Sequence, residues 1–159
     1  MLIGLFPGTF DPPTHGHLHL VKRAASLCDK LIVGVGTNPS KSAPILSHDE
    51  RVAILKKETA NYTNVNIQTF SGLTVDFAKQ LGATTLIRGL RNRSDLDSEM
   101  EMAAANRRLG IETFFLIADP EAAQISSSLI RQLAAGGAPL KDYIPEELES
   151  LLHSRLKAN

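Results

Sequence analysis

A chain of 159 residues, 43% hydrophobic and 21% charged, is long enough for one domain with a proper core and too short for two ordinary ones. Seventeen basic residues balance 17 acidic ones, so no overall field favours nucleic acid or an anionic membrane. Any anion binding must come from local placement of basic groups, which points to a small ligand. No apolar run reaches the roughly 18 residues of a membrane helix. Met1-Leu2-Ile3 lacks the basic n-region of a signal peptide, and the cytoplasm is the expected compartment. The single cysteine, Cys28, excludes an intrachain disulfide and reads as a small buried residue on the back of the first helix.

In chain order, Leu2–Phe6 is a short apolar run that predicts the first strand. Pro7-Gly8-Thr9-Phe10-Asp11-Pro12-Pro13-Thr14-His15-Gly16-His17 follows, and then the amphipathic segment Leu18 to Leu27. Strand, tight loop and helix start in that order are where an α/β protein offers backbone N–H groups to a phosphate. Leu31–Gly36, Val65–Phe70, Thr84–Ile87 and Thr113–Ala118 predict four further strands. Their near-continuous apolar character predicts a parallel sheet covered on both faces. Ser47-His48-Asp49-Glu50 has capping-box spacing ahead of a helix over Val52–Thr59. Leu73–Leu81 closes at Gly82, and Ser94 starts Asp95–Leu109, which ends at Gly110. Gly136-Gly137-Ala138-Pro139 joins two late helices, and Pro145 takes a first helical position before Glu146–Lys157. The alternation predicts an α/β fold: a Rossmann-like, doubly wound five-stranded parallel sheet with right-handed crossovers, one domain over 1–159.

Four clusters fall just after predicted strands: Thr9 to His17, Asn38-Pro39-Ser40-Lys41, Arg88-Gly89-Leu90-Arg91 and Ile125-Ser126-Ser127-Ser128. In an open sheet of this kind they converge on one rim, at the carboxyl ends of the strands. Their imidazole, lysine, arginines and hydroxyls suit phosphate binding and charge stabilisation in phosphoryl or nucleotidyl transfer. No cysteine, paired carboxylate or activated serine stands out as a nucleophile. No G-x-x-x-x-G-K-[ST] loop occurs, so an ATP site here is not of the P-loop type. Each cluster also has a plainer use. His17 could cap a helix, Lys41 could be a solvated loop charge, and Ser126 to Ser128 could be caps. Arg88 and Arg91 could pair with Asp95, Asp97, Glu99 and Glu101. His15, His19, His48 and His153 read as structural or exposed.

Thr14-His15-Gly16-His17 and Ile125-Ser126-Ser127-Ser128 resemble the (T/H)-x-G-H and I-S-S-S/T elements of the nucleotidyltransferase superfamily. Pro7 to Pro12, Asn38 to Lys41, Ser71-Gly72-Leu73-Thr74, Leu86 to Arg91 and the stretch Glu99 to Arg108 resemble the bacterial phosphopantetheine adenylyltransferases, over nearly the whole length. The resemblance implies direct adenylyl transfer from ATP to 4′-phosphopantetheine, giving dephospho-coenzyme A and pyrophosphate, with Mg2+ as cofactor. It implies that Thr9 and Lys41 orient the acceptor phosphate and that Arg88 and Thr74 contact the acceptor. His17, with Lys41 and Arg91, would serve catalysis at the α-phosphate. Thr9, Phe10, His17, Gly89, Leu90, Arg91 and Glu99, with Ala122, Ala123, Gln124, Ile125, Ser126, Ser127 and Ser128, would hold ATP. No metal ligand from a side chain is implied. A homo-oligomer, a hexamer in the family, and coenzyme A as a feedback ligand are implied too. Pro13 and His15 are reminiscent of nicotinate mononucleotide adenylyltransferases, and Ala122-Ala123-Gln124 lacks the aromatic that often precedes the serine triplet. Two alternatives stay open: a nicotinate or nicotinamide mononucleotide adenylyltransferase, and a non-catalytic nucleotide-binding sensor.

Overall fold

A computed structural model describes residues 1–37 and 44–156; the predicted cluster Asn38 to Lys41 lies outside the described residues. Five strands, β1 (Ile3–Gly8), β2 (Lys30–Gly36), β3 (Val65–Phe70), β4 (Thr85–Leu90) and β5 (Glu112–Ile117), form one sheet in the order β3-β2-β1-β4-β5. Every neighbouring pair is parallel, as the alternating pattern predicts. The crossovers are α1 (His15–Leu27), α2 (His48–Glu58), α3 (Thr74–Gln80) and α4 (Arg93–Arg108). Three later helices follow: α5 (Pro120–Ala123), α6 (Ser127–Ala135) and α7 (Glu147–Leu156).

The period of two in the central strands divides the core. Phe6, Val33 and Ile87 pack with Leu20, Val21 and Leu55 on one face; Leu5, Ile32 and Leu86 pack with Val75 and Ala78 on the other. Full burial of side chains such as Leu5, Ile32 and Leu86 stabilises the sheet by about 1.5–3 kcal/mol each. A third cluster joins α6 and α7 to Leu46 and Ile54, which ties the C-terminal helices to the start of α2.

Several boundaries differ from expectation, for local reasons. Strand β4 runs on to Leu90 because Gly89 and Leu90 continue the register with Leu116 and Ile117 of β5, so Arg88 and Gly89 stand in the strand itself. Asn92, not Ser94, caps α4: its side chain accepts from the Asp95 N–H at 2.9 Å. Helix α7 begins at Glu147, two residues beyond Pro145. The edge strands are not covered on both faces. Phe114 and Ile117 of β5 are exposed, and β3 alternates.

Candidate active site

Strand order reverses beside β1, whose neighbours are β2 and β4, and a cleft of about 570 Å³ opens at that point over the strand C-termini. Its floor is Pro7 to Phe10 at the end of β1 and Arg88 and Gly89 in β4. Gly16 and His17 of α1 form one side, with Ala122 and Ile125 to Ser128; α4 closes another with Asp95, Glu99, Met102 and Asn106. Gly36, Thr37, Phe70, Gly72 and Thr74 extend it across β2 and β3.

The loop between β1 and α1 is held from behind. Thr14 is the N-cap of α1, and its hydroxyl accepts from the His17 N–H at 3.2 Å. In return the Thr14 N–H donates to His17 Nδ1 at 3.1 Å, so an imidazole completes a capping box that usually uses a carboxylate. Because Nδ1 accepts that bond, the neutral ring carries its proton on Nε2. Phe10 packs edge-on against the same ring at 5.1 Å, with Phe6 behind it at 6.2 Å. Phe10 has φ of 50°, a left-handed conformation that a bulky residue adopts only where its surroundings fix it.

Those surroundings are three outward-facing bonds. Arg51 of α2 donates to the Thr9 carbonyl at 2.7 Å, Arg131 of α6 to the Asp11 carbonyl at 3.0 Å, and the Ser127 hydroxyl to the Pro12 carbonyl at 2.9 Å. The Asp11 carboxylate, 3% exposed, also accepts from Arg131 and from the N–H groups of Ile45 and Leu46 at 2.9 Å each. Burial pulls the Arg51 guanidinium below its ordinary value, with Asp11 opposing that fall. Three of the loop's carbonyls are thus taken, and Pro7 to Phe10, Gly16 and His17 line the cleft. Gly16 lets α1 come close to α5, since a Cβ there would stand 3.1 Å from the Ala122 carbonyl oxygen.

The arginines are held differently. Arg88 donates to both carboxylate oxygens of Glu99, through Nε at 2.8 Å and Nη2 at 2.5 Å, and through Nη1 to the Pro7 carbonyl at 2.9 Å. Arg91 gives Nε and Nη2 to the two oxygens of Asp95 at 2.8 and 3.0 Å. Desolvation raises the Asp95 carboxyl, but the Arg91 guanidinium overrides it and leaves it below its ordinary value. The expected pairing of these arginines with the acidic run is therefore present, inside the cleft. Helix α6 presents its N-terminus there, with Ser126 as cap accepting from Leu129 at 3.1 Å.

Of the residues singled out in the sequence, Thr9, Phe10, His17, Thr74, Arg88, Gly89, Arg91, Glu99, Ala122 and Ile125 to Ser128 all line this one cleft. Leu90, Ala123 and Gln124 do not. The Leu90 carbonyl is taken by the Ala118 N–H at 2.7 Å, Ala123 packs on the core, and Gln124 ends α5 on the exposed side. Arg51 and Arg131, which hold the loop, escaped the sequence reading, and Asp11 entered it only as a member of the loop, with no role of its own. Asp95 entered it only as one member of a charge run. Arg51 is 4% exposed on a helix that also buries Ile54 and Leu55, a burial that the sequence pattern does not announce.

A parallel sheet with a glycine-bearing loop, an imidazole at a helix start and paired arginines at the switch point is the arrangement in which α/β proteins take phosphate-bearing ligands. The cytidylyltransferase-like family model matches residues 5–133. A phosphopantetheine adenylyltransferase of Clostridium botulinum (strain 657 / Type Ba4) is 44% identical over 93% of this chain and 91% of its own. The protein of that name from Gloeobacter violaceus is 43% identical over 97% of this chain and 96% of its own. The chain belongs to the cytidylyltransferase-like family and, within it, to the phosphopantetheine adenylyltransferases. A crystal structure described as a "Putative Nicotinate-nucleotide Adenylyltransferase" from Vibrio parahaemolyticus superposes with a TM-score of 0.69 over 100% of this chain and 98% of its own. At 15% identity that likeness speaks for the fold alone.

Proposed function

We propose that this protein transfers the adenylyl group of ATP to 4′-phosphopantetheine, giving dephospho-coenzyme A and pyrophosphate. The observation that carries the reading is the identity of 44% and 43% to enzymes of that name across nine-tenths or more of both chains. The convergence of the motif residues on one cleft supports it.

An oxygen of the acceptor phosphate attacks the α-phosphorus of ATP, the bond from that phosphorus to the bridging oxygen breaks, and pyrophosphate leaves. The acceptor is a phosphate dianion over much of the neutral range, so no strong general base is required. The barrier lies in bringing two anions together, and the side chains answer it by position and charge. His17, with its proton on Nε2, donates to the α-phosphate and to the charge that builds there. Thr9 and Lys41 orient the acceptor phosphate; Arg88 and Thr74 hold the acceptor. Gly89, Arg91, Glu99, Ala122 and Ile125 to Ser128 hold ATP, the last through the α6 N-terminus.

Mg2+ would be held through the phosphate oxygens of ATP, where it neutralises charge on the leaving pyrophosphate. Asp95 and Glu99 already give their oxygens to arginines, and no cluster of three or more metal-binding side chains gathers among the described residues. A cytoplasmic location and a homo-oligomer, six copies by the family resemblance, belong to the same reading, as does coenzyme A as a feedback ligand. Exposed Met100 on α4 and Leu109 at its C-terminal cap, with Phe114 and Ile117 on β5, offer apolar surface for subunit contact. No described helix is long and apolar enough to cross a membrane.

The test is pyrophosphate release from ATP, with 4′-phosphopantetheine and nicotinate mononucleotide run in parallel. Release is expected with the first acceptor only. Release with the second alone would move the chain to pyridine nucleotide synthesis, and none with either would leave a nucleotide-binding sensor.

A further inference from the structure

The cleft assigned to two anionic substrates has a charge balance that does not suit them. Its described lining carries two arginines and two carboxylates, and each arginine is paired bidentately with one carboxylate. A phosphate binds arginine in the same way, through two oxygens on two parallel N–H groups. Asp95 thus occupies on Arg91 the position that a phosphate would take. Its hold is threefold, because the Arg91 backbone N–H also donates to Oδ2 at 3.2 Å. The pair lies at the cleft edge, with Asp95 22% and Arg91 38% exposed at the side chain, so a ligand can reach it.

We propose that Asp95 is a built-in competitor for Arg91: the anionic ligand displaces its carboxylate before it gains the guanidinium. The competition lowers the affinity of every anion that uses Arg91 by one common factor. A single phosphate, with no other anchor, then stays out at concentrations where a polyphosphate that also reaches His17 and the α6 N-terminus remains bound. Helix α4 does not depend on this carboxylate for its start, because the Asp95 N–H is already capped by Asn92 Oδ1. The inference rests on the polyphosphate reading of the cleft and not on the identity of the acceptor, so it and the turnover assay can fail separately.

The experiment titrates inorganic pyrophosphate, and inorganic phosphate separately, into the wild-type protein, Asp95→Asn and Asp97→Asn by calorimetry. Asp97 is exposed on the same helix and outside the cleft lining, so it reports the effect of removing a nearby negative charge alone. Asp95→Asn should bind both ions about fivefold tighter, the scale of one part-exposed ion pair. Asp97→Asn should change binding by less than about twofold. Arg91→Ala and the double variant Arg91→Ala/Asp95→Asn close a cycle in which the gain must vanish, because the competition acts through Arg91. Unchanged or weaker binding in Asp95→Asn, or a gain that persists without Arg91, overturns the proposal. Should Asp95→Asn not fold, Asp95→Ser removes the same carboxylate and the same outcomes apply.

Discussion

The two sides of the cleft are held by different means. The loop from Thr9 to His17 is fixed from behind by Arg51 and Arg131 on its carbonyls and by a buried Asp11, with Ser127 of the cleft wall adding a bond to the Pro12 carbonyl. The arginines opposite are fixed from the ligand side, by carboxylates that line the cleft themselves. On the proposal above, a ligand leaves Arg51, Arg131 and Asp11 in place and rearranges the arginine pairs. The loop is therefore preorganised, with its reorganisation completed during folding, whereas the arginine rim answers to what is bound.

Asp11→Ala breaks the comparison most severely. It takes the carboxylate from Arg131, which keeps only its bond to the carbonyl of residue 11, and removes the acceptor of two backbone N–H groups, which should cost about 3–5 kcal/mol of stability and lower the melting temperature by about 6–20 °C. Thermal denaturation of both proteins reads this directly, and an unchanged melting temperature would show that the loop does not depend on its anchor. His17→Ala sharpens the comparison next. With the ring's donor gone, kcat should fall about 10²- to 10³-fold while the KM for ATP changes by less than about threefold, as expected of a contact made mainly in the transition state. Near-normal turnover in steady-state kinetics would remove the imidazole from the mechanism.

The smallest effect lies outside the cleft. The Arg155 guanidinium and then the Ser47 N–H hold the Glu50 carboxyl down at about 2. A depressed carboxyl contributes stability above its unfolded value of about 4.3, and that contribution is lost as pH falls towards about 2. The pair is about one-third exposed, so solvent screening keeps its contribution small. Glu50→Gln should then melt slightly below wild type at neutral pH, with the gap closing in acid. A gap that widens in acid would reverse the sign.

What could be read in the sequence follows from distance along the chain. Thr14 and His17 lie three residues apart, so their capping geometry is written locally, and the carboxyl ends of parallel strands bring the three described clusters to one rim. The network behind the loop joins Thr9 to Arg51 and Asp11 to Arg131, 42 and 120 residues apart, and no periodicity records such pairings. The extent of β4 escaped for a similar reason. Pairing with β5 carries the strand through a charged residue and a glycine that propensity alone would place in a loop.

Cys28 lies 7% exposed, where α1 hands over to β2, and a Cβ on Gly4 would come within 2.7 Å of its sulfur. Burial pushes its thiol up, so in the closed protein it is both shielded and protonated. Only a chain that has parted α1 from the sheet can expose the thiolate to an alkylating reagent. The rate of its modification is therefore a clock for the opening of the protein's centre, provided by nature with a single label.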